Sequence, residues 1–360
     1  MGKINIGKTS IPFGEIKKGN WPTCTPYIDQ SLAFCQAWLN GAASFQLNTS
    51  GSTGAPKTID VNRQQMEISA NATGKFFDIK PQANLLCCLN TTMIAGKMML
   101  VRGLEWDSTI YLEEPSGTPL ANFGALDSFD FVAMVPAQVE NSLLNSAEKL
   151  NSIQHLIIGG ASLSQKLQKE VSQLSCNAYQ TYGMTETVSH IALAKITGLP
   201  PLTYQTLPGV AISTTKDSRL VINAPMAKTT LTTNDIVTLP AANTFIWEGR
   251  SDFTINSGGI KIQPEKLEAQ IAPIMEALFP GKRFFVAGAP SDKWGEEVVL
   301  VIETPPVTEA SDHNLSVKIA ETFSKYERPK KVYFIENFSE TASGKIKRSD
   351  SLKQALDKFI

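Results

Sequence analysis

The stretch Tyr179-Gln180-Thr181-Tyr182-Gly183-Met184-Thr185-Glu186-Thr187 carries the most informative chemistry of this 360-residue sequence. Tyr182 offers an aromatic face on which a nucleotide base can stack, and Thr185 offers a hydroxyl group. Glu186 adds a carboxylate suited to Mg²⁺ held beside phosphate. By itself the stretch is equally compatible with a plain turn that enters a capped helix. Its interpretation therefore depends on the motifs around it.

A second motif lies upstream, at Asn48-Thr49-Ser50-Gly51-Ser52-Thr53-Gly54-Ala55-Pro56-Lys57. Its two glycines, Gly51 and Gly54, allow the backbone to approach an anion closely, and Lys57 supplies a compact positive charge. Four hydroxyl groups can donate to phosphate oxygens: those of Thr49, Ser50, Ser52 and Thr53. The pattern predicts a phosphate-binding loop, and the alternative is a flexible surface loop. A formal Walker A match at Gly2–Thr9 is interpreted as coincidence, because no strand precedes Gly2 to deliver such a loop.

Three weaker signals follow along the chain. Gly159-Gly160-Ala161 lies at the end of a predicted strand, where backbone can line a pocket, although a plain strand-to-helix turn explains it equally well. Asp235 and Arg250 flank a strand-rich stretch, and each alone is compatible with a surface charge. Near the C-terminus, Thr341-Ala342-Ser343-Gly344-Lys345-Ile346-Lys347-Arg348 contains a glycine turn that could present Lys345, or forms a solvated basic tail.

The alternation of apolar runs and helix-like segments predicts an α/β fold. Residues 129–136 and 155–158 are typical of buried strands, and each is followed by a helical stretch, as expected of a layered, mixed sheet with parallel strands. From about residue 251 the pattern changes to that of an α+β unit, with predicted helices at 264–277 and 312–325 and a last strand at 332–335 before a polar tail. We therefore expect a large domain over 1–250 and a smaller, mobile domain over 251–360.

Composition excludes several functional classes. With 33 Lys and Arg against 34 Asp and Glu, the net charge is −1, which does not favour a nucleic-acid-binding protein. The five cysteines include no CxxC pair, so we expect reduced thiols, and the three histidines show no metal-ligand spacing. The most apolar long window, 85–104, contains Lys97 and Arg102, so no membrane insertion is expected. Together these features predict a cytoplasmic protein; they do not indicate its oligomeric state.

The order of these motifs resembles that of the adenylate-forming, or AMP-binding, superfamily of acyl-CoA ligases, adenylation domains and luciferases. The segment 49–57 looks like the phosphate loop of that family, and Tyr182-Gly183-Met184-Thr185-Glu186 matches its most specific motif. Gly249-Arg250-Ser251-Asp252 and Ser257-Gly258-Gly259 resemble its hinge and the following turn, 326–330 its approach to the last strand, and Ala342-Ser343-Gly344-Lys345 its catalytic-lysine loop. The resemblance covers the chain from about Gln46 onward.

This resemblance implies a two-step reaction that uses ATP, Mg²⁺ and coenzyme A. A carboxylate attacks the α-phosphate of MgATP to give an acyl-adenylate and pyrophosphate, and the CoA thiol then displaces AMP. The implied catalytic residues are Lys345, Thr185 and Glu186, the last as the Mg²⁺ ligand. The implied nucleotide- and CoA-binding residues are Thr49, Ser50, Gly51, Ser52, Thr53, Gly54, Lys57, Gly160, Ala161, Tyr182, Gly183, Asp235, Arg250, Gly258 and Gly259, with Asp252 as the hinge.

Within the family, the chain most resembles the branch that activates o-succinylbenzoate in menaquinone biosynthesis. Thr187-Val188-Ser189-His190 extends the central motif as in that branch, and Ile94-Ala95-Gly96 with Arg102 resembles its substrate segment, so Arg102 and Ser189 are the predicted substrate residues. The sequence departs from the family in its short N-terminal region, in Thr92-Met93 and in Asn234. The alternatives are a ligase for another aromatic or fatty acid and a non-catalytic nucleotide- or acyl-binding member of the fold.

Overall fold

The computed structural model describes residues 2–48, 58–124, 126–305, 309–341 and 346–357. Its strands, in chain order, are β1 (Lys3–Ile6), β2 (Thr9–Pro12), β3 (Ser44–Asn48), β4 (Thr58–Asn62), β5 (Asn84–Cys87), β6 (Thr109–Leu112), β7 (Phe129–Met134), β8 (Ile153–Ile158), β9 (Asn177–Gly183), β10 (His190–Lys195), β11 (Thr203–Thr206), β12 (Ala211–Thr214), β13 (Arg219–Asn223), β14 (Leu231–Ala241), β15 (Thr244–Arg250), β16 (Ile255–Ser257), β17 (Ile260–Ile262), β18 (Phe284–Ser291), β19 (Gly295–Glu303) and β20 (Lys331–Ile335).

Helices connect and cover these strands. They are α1 (Phe13–Lys18), α2 (Pro26–Leu39), α3 (Arg63–Phe77), α4 (Ile94–Glu105), α5 (Pro136–Leu150), α6 (Gln165–Val171), α7 (Pro264–Leu278), α8 (Glu309–Thr322) and α9 (Arg348–Asp357). Short 3₁₀ turns lie at Thr185–Thr187 and Ser251–Phe253. No helix among the described residues combines the length and the apolar character needed to cross a membrane.

The first sheet has 13 strands in the order β12-β13-β14-β15-β11-β10-β9-β8-β7-β5-β6-β1-β2. The run from β9 to β1 is parallel, whereas the pairs from β12 to β9 are antiparallel. The predicted α/β class with a mixed sheet is therefore confirmed. The residues of the formal Walker A match form the β1–β2 hairpin, in which Ile6 pairs with Thr9. That hairpin is incompatible with a phosphate loop that leads into a helix.

Side chains of the parallel strands pack alternately on the two faces of this sheet. In β5, Leu85 and Cys87 join the core under α3 and α4, whereas Leu86 and the following Cys88 join the core under α5 and α6. Both faces are buried, which explains why these strands are continuously apolar rather than alternating. Because β7, β8 and β9 are adjacent and parallel, their carboxyl ends lie side by side at one edge of the sheet.

A second sheet, β17-β16-β19-β18 with β20 beside β19, forms from residues 255–335. Helices α7 and α8 cover one of its faces and α9 covers the other, through core clusters that do not include residues of the 13-stranded sheet. The predicted polar tail after the last strand is wrong, because α9 follows and buries Ala355 against this sheet. The proposed division at 250/251 stays a prediction, which these separate cores support.

Candidate active site

A large cavity opens at the carboxyl ends of β7, β8 and β9. It has a volume of about 1690 Å³ and is lined by residues that directly follow these strands, such as Val135, Gly160 and Met184. Residues of α7 and the start of α9 line its other side, including Glu265, Glu268 and Arg348. In open α/β sheets, ligands bind at this edge, because the loops there converge from several strands. The cavity is therefore the candidate active site.

Gly159 and Gly160 form one wall of the cavity. A Cβ on Gly159 would lie 2.3 Å from Oγ1 of Thr181 on the adjacent strand, so only glycine allows this close approach. Gly160 has a φ of 87°, in the left-handed region that favours glycine. The backbone turns here, and Gly160 and Ala161 line the cavity.

A polar cluster around Asp235 forms another part of the cavity wall. The Tyr182 hydroxyl donates to Oδ2 of Asp235 at 2.6 Å, and the indole N–H of Trp247 donates to Oδ1 at 3.0 Å. Arg250 is the direct cross-strand partner of Asp235, with Nη1 3.9 Å from Oδ1. Burial and the Asp235 charge raise the pKa of Tyr182, so the phenol stays protonated and donates. Each Asp235 oxygen keeps a further acceptor position for hydroxyl groups of a ligand.

The turn after β9 has cavity-lining residues on both sides: Thr185 at its start, and Ser189 and His190 after it. Thr187 closes the 3₁₀ turn, because its Oγ1 accepts from the Met184 N–H at 3.1 Å and its hydroxyl lies 2.9 Å from the Met184 carbonyl. Thr185 lines the cavity, whereas Glu186 is exposed and does not line it. Val188 then has a φ of 64°, unusual for a β-branched residue, and reverses the chain so that Ser189 and His190 also face the cavity.

Arg102 on α4 is the most buried of the described polar residues that line the cavity. This helix begins with Ile94 and Ala95, which line the cavity, and Arg102 lies two turns further along the same face. Only 2 % of Arg102 is exposed. Its Nη2 donates to Oγ of Ser189 at 2.7 Å, its Nε has no hydrogen-bond partner, and within the described chain no carboxylate forms an ion pair with it. Burial lowers the pKa of Arg102 to about 9, which leaves it charged at neutral pH.

The cavity brings together most of the described residues that the sequence singled out. Those that line it are Arg102, Gly160, Ala161, Tyr182, Gly183, Thr185, Ser189, Asp235 and Arg250. Asp252, Gly258 and Gly259 do not line it: Asp252 lies in the turn between β15 and β16, and Gly258 packs against Trp294. The predicted phosphate-loop residues (Thr49 to Gly54 and Lys57) and Lys345 lie outside the described residues.

Gln180 and Trp247 are among the cavity residues that the sequence reasoning missed. Gln180 is buried, lines the cavity and has an Oε1 without a hydrogen-bond partner, so it offers an unused acceptor. It lies two residues before Tyr182 on β9, so the period of a strand would have placed both on one face. Trp247 was missed because its role depends on the Val237–Trp247 register of β14 and β15, which no local pattern indicates.

Residues next to the start of α9 also line the cavity. Glu340 and Ile346 form an antiparallel bridge, and Ile346 lines the cavity. Arg348 is held by a two-pronged ion pair with Glu268, at 2.8 and 2.9 Å, and its guanidinium lies 4.9 Å from the Phe253 ring centroid. Arg348 is therefore anchored rather than solvated, which excludes a loose basic tail at this position.

Few of the described side chains near this cavity could bind the Mg²⁺ ion that the sequence predicts. Among the described residues, no cluster of three or more His, Cys, Asp or Glu side chains is arranged to hold a metal ion. The exposed Glu186 carboxylate beside Thr185 fits the usual pattern for Mg²⁺, in which one carboxylate joins phosphate oxygens and water. Glu186 thus offers a carboxylate that fits a metal held jointly with phosphate oxygens.

Comparison with known proteins agrees with this geometry. The AMP-binding enzyme family model matches residues 42–220, and the AMP-binding enzyme C-terminal domain model matches 282–345. The chain is 39 % identical to an acyl-CoA synthetase (AMP-forming)/AMP-acid ligase II-like protein from Dyadobacter fermentans, with 94 % of this chain and 97 % of that chain covered and a TM-score of 0.63. This chain belongs to the AMP-binding enzyme family.

More distant relatives have more specific names. The chain is 24 % identical over 360 residues to a 2-succinylbenzoate–CoA ligase of Lactococcus lactis, covering 91 % of this chain and 77 % of the relative. An O-succinylbenzoate coenzyme A synthetase from Bacillus subtilis, solved with ATP and magnesium ion, has 21 % identity and a TM-score of 0.72 over 85 % of this chain and 69 % of its own. The latter likeness shows the shared fold.

Proposed function

We propose that this protein is an ATP-dependent acid–CoA ligase that forms an acyl-adenylate and then a CoA thioester, with o-succinylbenzoate as the acid. ATP, Mg²⁺ and coenzyme A are the proposed small-molecule partners. Membership of the AMP-binding family and the relatives named 2-succinylbenzoate–CoA ligase support this assignment. The expected cytoplasmic location stays a prediction, which cell fractionation tests.

The cavity residues are proposed to act by positioning and by neutralising charge. Tyr182, Gly160 and Ala161 border the base, Asp235 accepts from the ribose hydroxyls with Arg250 beside it, and the loop 49–57 holds the β- and γ-phosphates. Thr185 approaches the α-phosphate, and Glu186 is the carboxylate available to Mg²⁺, whose chemistry is to neutralise charge on the phosphates. These groups need no covalent nucleophile of the enzyme, because the substrate carboxylate is itself the nucleophile.

The two-step reaction is proposed to use the predicted division of the chain. Residues 1–250 hold the nucleotide and the acid, and residues 251–360 reorient about Asp252 between the two steps. In the described structure the flanks of the lysine segment, Ile346 and Arg348, line the cavity, whereas Gly258 and Gly259 do not. This arrangement suits the adenylation step. In the proposed rotation the lysine segment leaves the cavity and the Gly258-Gly259 turn takes its place, where it borders the path of the CoA pantetheine arm.

The single observation that carries the choice of acid is the buried Arg102 guanidinium. It faces the cavity, and in the described part of the chain it has Ser189 but no carboxylate as a partner. A buried cation without a counter-ion is costly, so a ligand carboxylate would pair with it favourably. o-Succinylbenzoate carries two carboxylates, one for adenylation and one for Arg102, whereas fatty and simple aromatic acids carry one.

The test measures pyrophosphate release with ATP and a panel of acids. The panel pairs o-succinylbenzoate with 4-oxo-4-phenylbutanoate, which lacks only the ring carboxylate. Arg102→Ala should raise the KM for o-succinylbenzoate about 30-fold or more, the cost of truncating one partner of a buried charge pair. It should leave the KM for 4-oxo-4-phenylbutanoate nearly unchanged, and Arg102→Lys should fall between the wild type and Arg102→Ala.

Equal effects on the two acids would remove the assignment of Arg102 to the second carboxylate. A fatty or monocarboxylic aromatic acid as the best substrate would support another acid–CoA ligase. No pyrophosphate release with any acid would support a non-catalytic nucleotide- or acyl-binding protein.

A further inference from the structure

His190 lies between the Arg102 guanidinium and helix α3. Its Nδ1 is 3.4 Å from Oγ of Ser189 and 3.5 Å from Nη2 of Arg102. On the opposite side of the ring, Nε2 is 3.2 Å from Oγ1 of Thr73. His190 and Thr73 are buried, so water does not compete for these contacts.

The hydrogen bonds of Thr73 determine which ring nitrogen carries the proton. The Thr73 hydroxyl donates to the Ser69 carbonyl one turn earlier in α3, at 3.1 Å. Its oxygen can therefore only accept from His190, so the proton of the neutral ring lies on Nε2. Nδ1 is then unprotonated, and its lone pair faces the Ser189 hydroxyl and Arg102.

The other protonation states place a hydrogen on Nδ1, against the guanidinium. Burial and the neighbouring Arg102 charge both lower the pKa of His190 well below its ordinary value, so the ring stays neutral at pH 7. Arg102 donates to Ser189, and Ser189 in turn donates to the bare Nδ1. The hydrogen bonds run in one direction, from the guanidinium through Ser189 and His190 to the backbone of α3.

We propose that His190 is a positioning residue for substrate recognition: as the neutral Nε2–H tautomer held by Thr73, it orients the Ser189 hydroxyl and the Arg102 guanidinium toward the cavity. This inference rests on the proposed function, because the oriented guanidinium serves a second carboxylate of the acid. His190 itself does not contact the reacting atoms.

The guanidinium needs such support because its remaining surroundings are weak partners. Nη1 points to Sδ of Met99 at 3.7 Å, and the Phe131 ring centroid lies 5.8 Å from Cζ. A thioether is a poor acceptor, and an aromatic face does not fix the rotation of the guanidinium plane. Ser189 provides the directional contact, and the orientation of the Ser189 hydroxyl depends on Nδ1.

The tautomer can be observed directly. The chain has only three histidines, so ¹⁵N-histidine labelling gives few signals, and comparison with His190→Asn assigns those of His190. We expect a bare Nδ1 and a protonated Nε2 at pH 7 in the wild type, and a mixture of tautomers in Thr73→Val, which removes the hydroxyl that receives the Nε2 proton. A protonated Nδ1 in the wild type would overturn the proposal.

The kinetic test separates positioning from packing. His190→Leu keeps an apolar side chain of similar bulk but removes the acceptor, and should raise the KM for o-succinylbenzoate on the order of tenfold. His190→Asn places an amide oxygen near the position of Nδ1 and should restore the KM to within about threefold of the wild type. The KM for MgATP and the KM for 4-oxo-4-phenylbutanoate should not change in either variant.

The outcomes distinguish this inference from the proposed function. If the wild type releases no pyrophosphate with o-succinylbenzoate, the proposed function is wrong. If the wild type is active and Arg102→Ala raises the KM for this acid but His190→Leu does not, only the positioning role is wrong. If His190→Leu and His190→Asn impair both acids equally, His190 acts through packing and the proposal is also wrong.

Discussion

Tyr182 donates its hydroxyl to Asp235 across 2.6 Å, and this bond joins the end of β9 to β14 at the cavity. The two strands are not neighbours in the sheet, because β10, β11 and β15 lie between them. The aromatic ring proposed for the base and the carboxylate proposed for the ribose are therefore held at a fixed separation by one side-chain contact.

Removing that hydroxyl should weaken nucleotide binding selectively. Tyr182→Phe keeps the aromatic face but deletes a hydrogen bond to a charged carboxylate, worth about 1.5–3 kcal/mol, so the KM for ATP should rise roughly 13- to 160-fold while the KM for the acid stays constant. Tyr179→Phe is the matched control, because Tyr179 packs against Phe76 and Phe77 away from the cavity. An unchanged KM for ATP in Tyr182→Phe would contradict a role for this contact.

Lys345 is proposed to stabilise the charge that moves between the α-phosphate and the incoming carboxylate. At ~4 Å and an effective dielectric of ~20, one such charge pair contributes about 4 kcal/mol. Lys345→Ala should lower the rate of pyrophosphate release by roughly 10²–10³, the typical loss for one well-placed donor. The same variant should convert supplied acyl-adenylate and CoA to thioester at a near wild-type rate.

The control for this prediction is Lys347→Ala, which removes one charge from the same basic run. The Lys347 backbone N–H donates to the Ser339 carbonyl at 2.8 Å, a contact that alanine preserves. Similar behaviour of the two variants would show that Lys345 has no special role in adenylation.

Asp252 is the proposed hinge, and Arg250 donates to both of its carboxylate oxygens, at 2.9 and 2.7 Å. Asp252→Pro fixes φ and removes this ion pair, whereas Asp252→Ala removes only the ion pair. Thioester formation from preformed acyl-adenylate should slow in Asp252→Pro by about tenfold or more, because a fixed φ hinders the rotation that is proposed to precede this step, and only slightly in Asp252→Ala. A wild-type rate in Asp252→Pro would refute the hinge.

His190 should make the stability of the protein depend on pH. Its pKa is lowered in the folded state, so the unfolded chain takes up the proton first as the pH falls through the ordinary value of 6.5. The free energy of unfolding should therefore decrease below pH 6.5, with a slope of up to about 1.4 kcal/mol per pH unit from this residue.

Urea unfolding of the wild type and of His190→Asn between pH 5 and 7.5 measures this slope. Burial also lowers the pKa of His155, with the same sign, but His155 is present in both proteins. The difference between the two curves therefore isolates His190. Parallel curves would mean that the His190 pKa is not lowered.

The sequence by itself determined the class of fold, and it singled out nine residues that line the candidate cavity. Continuous apolar runs indicated strands buried on both faces, and motif order placed Gly160, Tyr182 and Thr185 at the ends of strands, where the cavity opens. These signals are local. A glycine allows the positive φ of its own turn, and a run of apolar residues reflects the burial of its own strand. The helix α9 was missed because most of its residues are polar, and only a few apolar ones, Leu352, Ala355 and Leu356, pack on the second sheet.

Only the tertiary structure decided how the side chains are grouped. Thr73, Arg102 and His190 come from α3, α4 and β10, and no spacing in the sequence indicates that one imidazole bridges the other two. Likewise, Trp247 reaches Asp235 through a register shift between β14 and β15. Such contacts depend on packing across elements and on register. The sequence therefore names the groups that are proposed to perform the chemistry, and the packed fold decides which of the described ones are held in position and by which contacts.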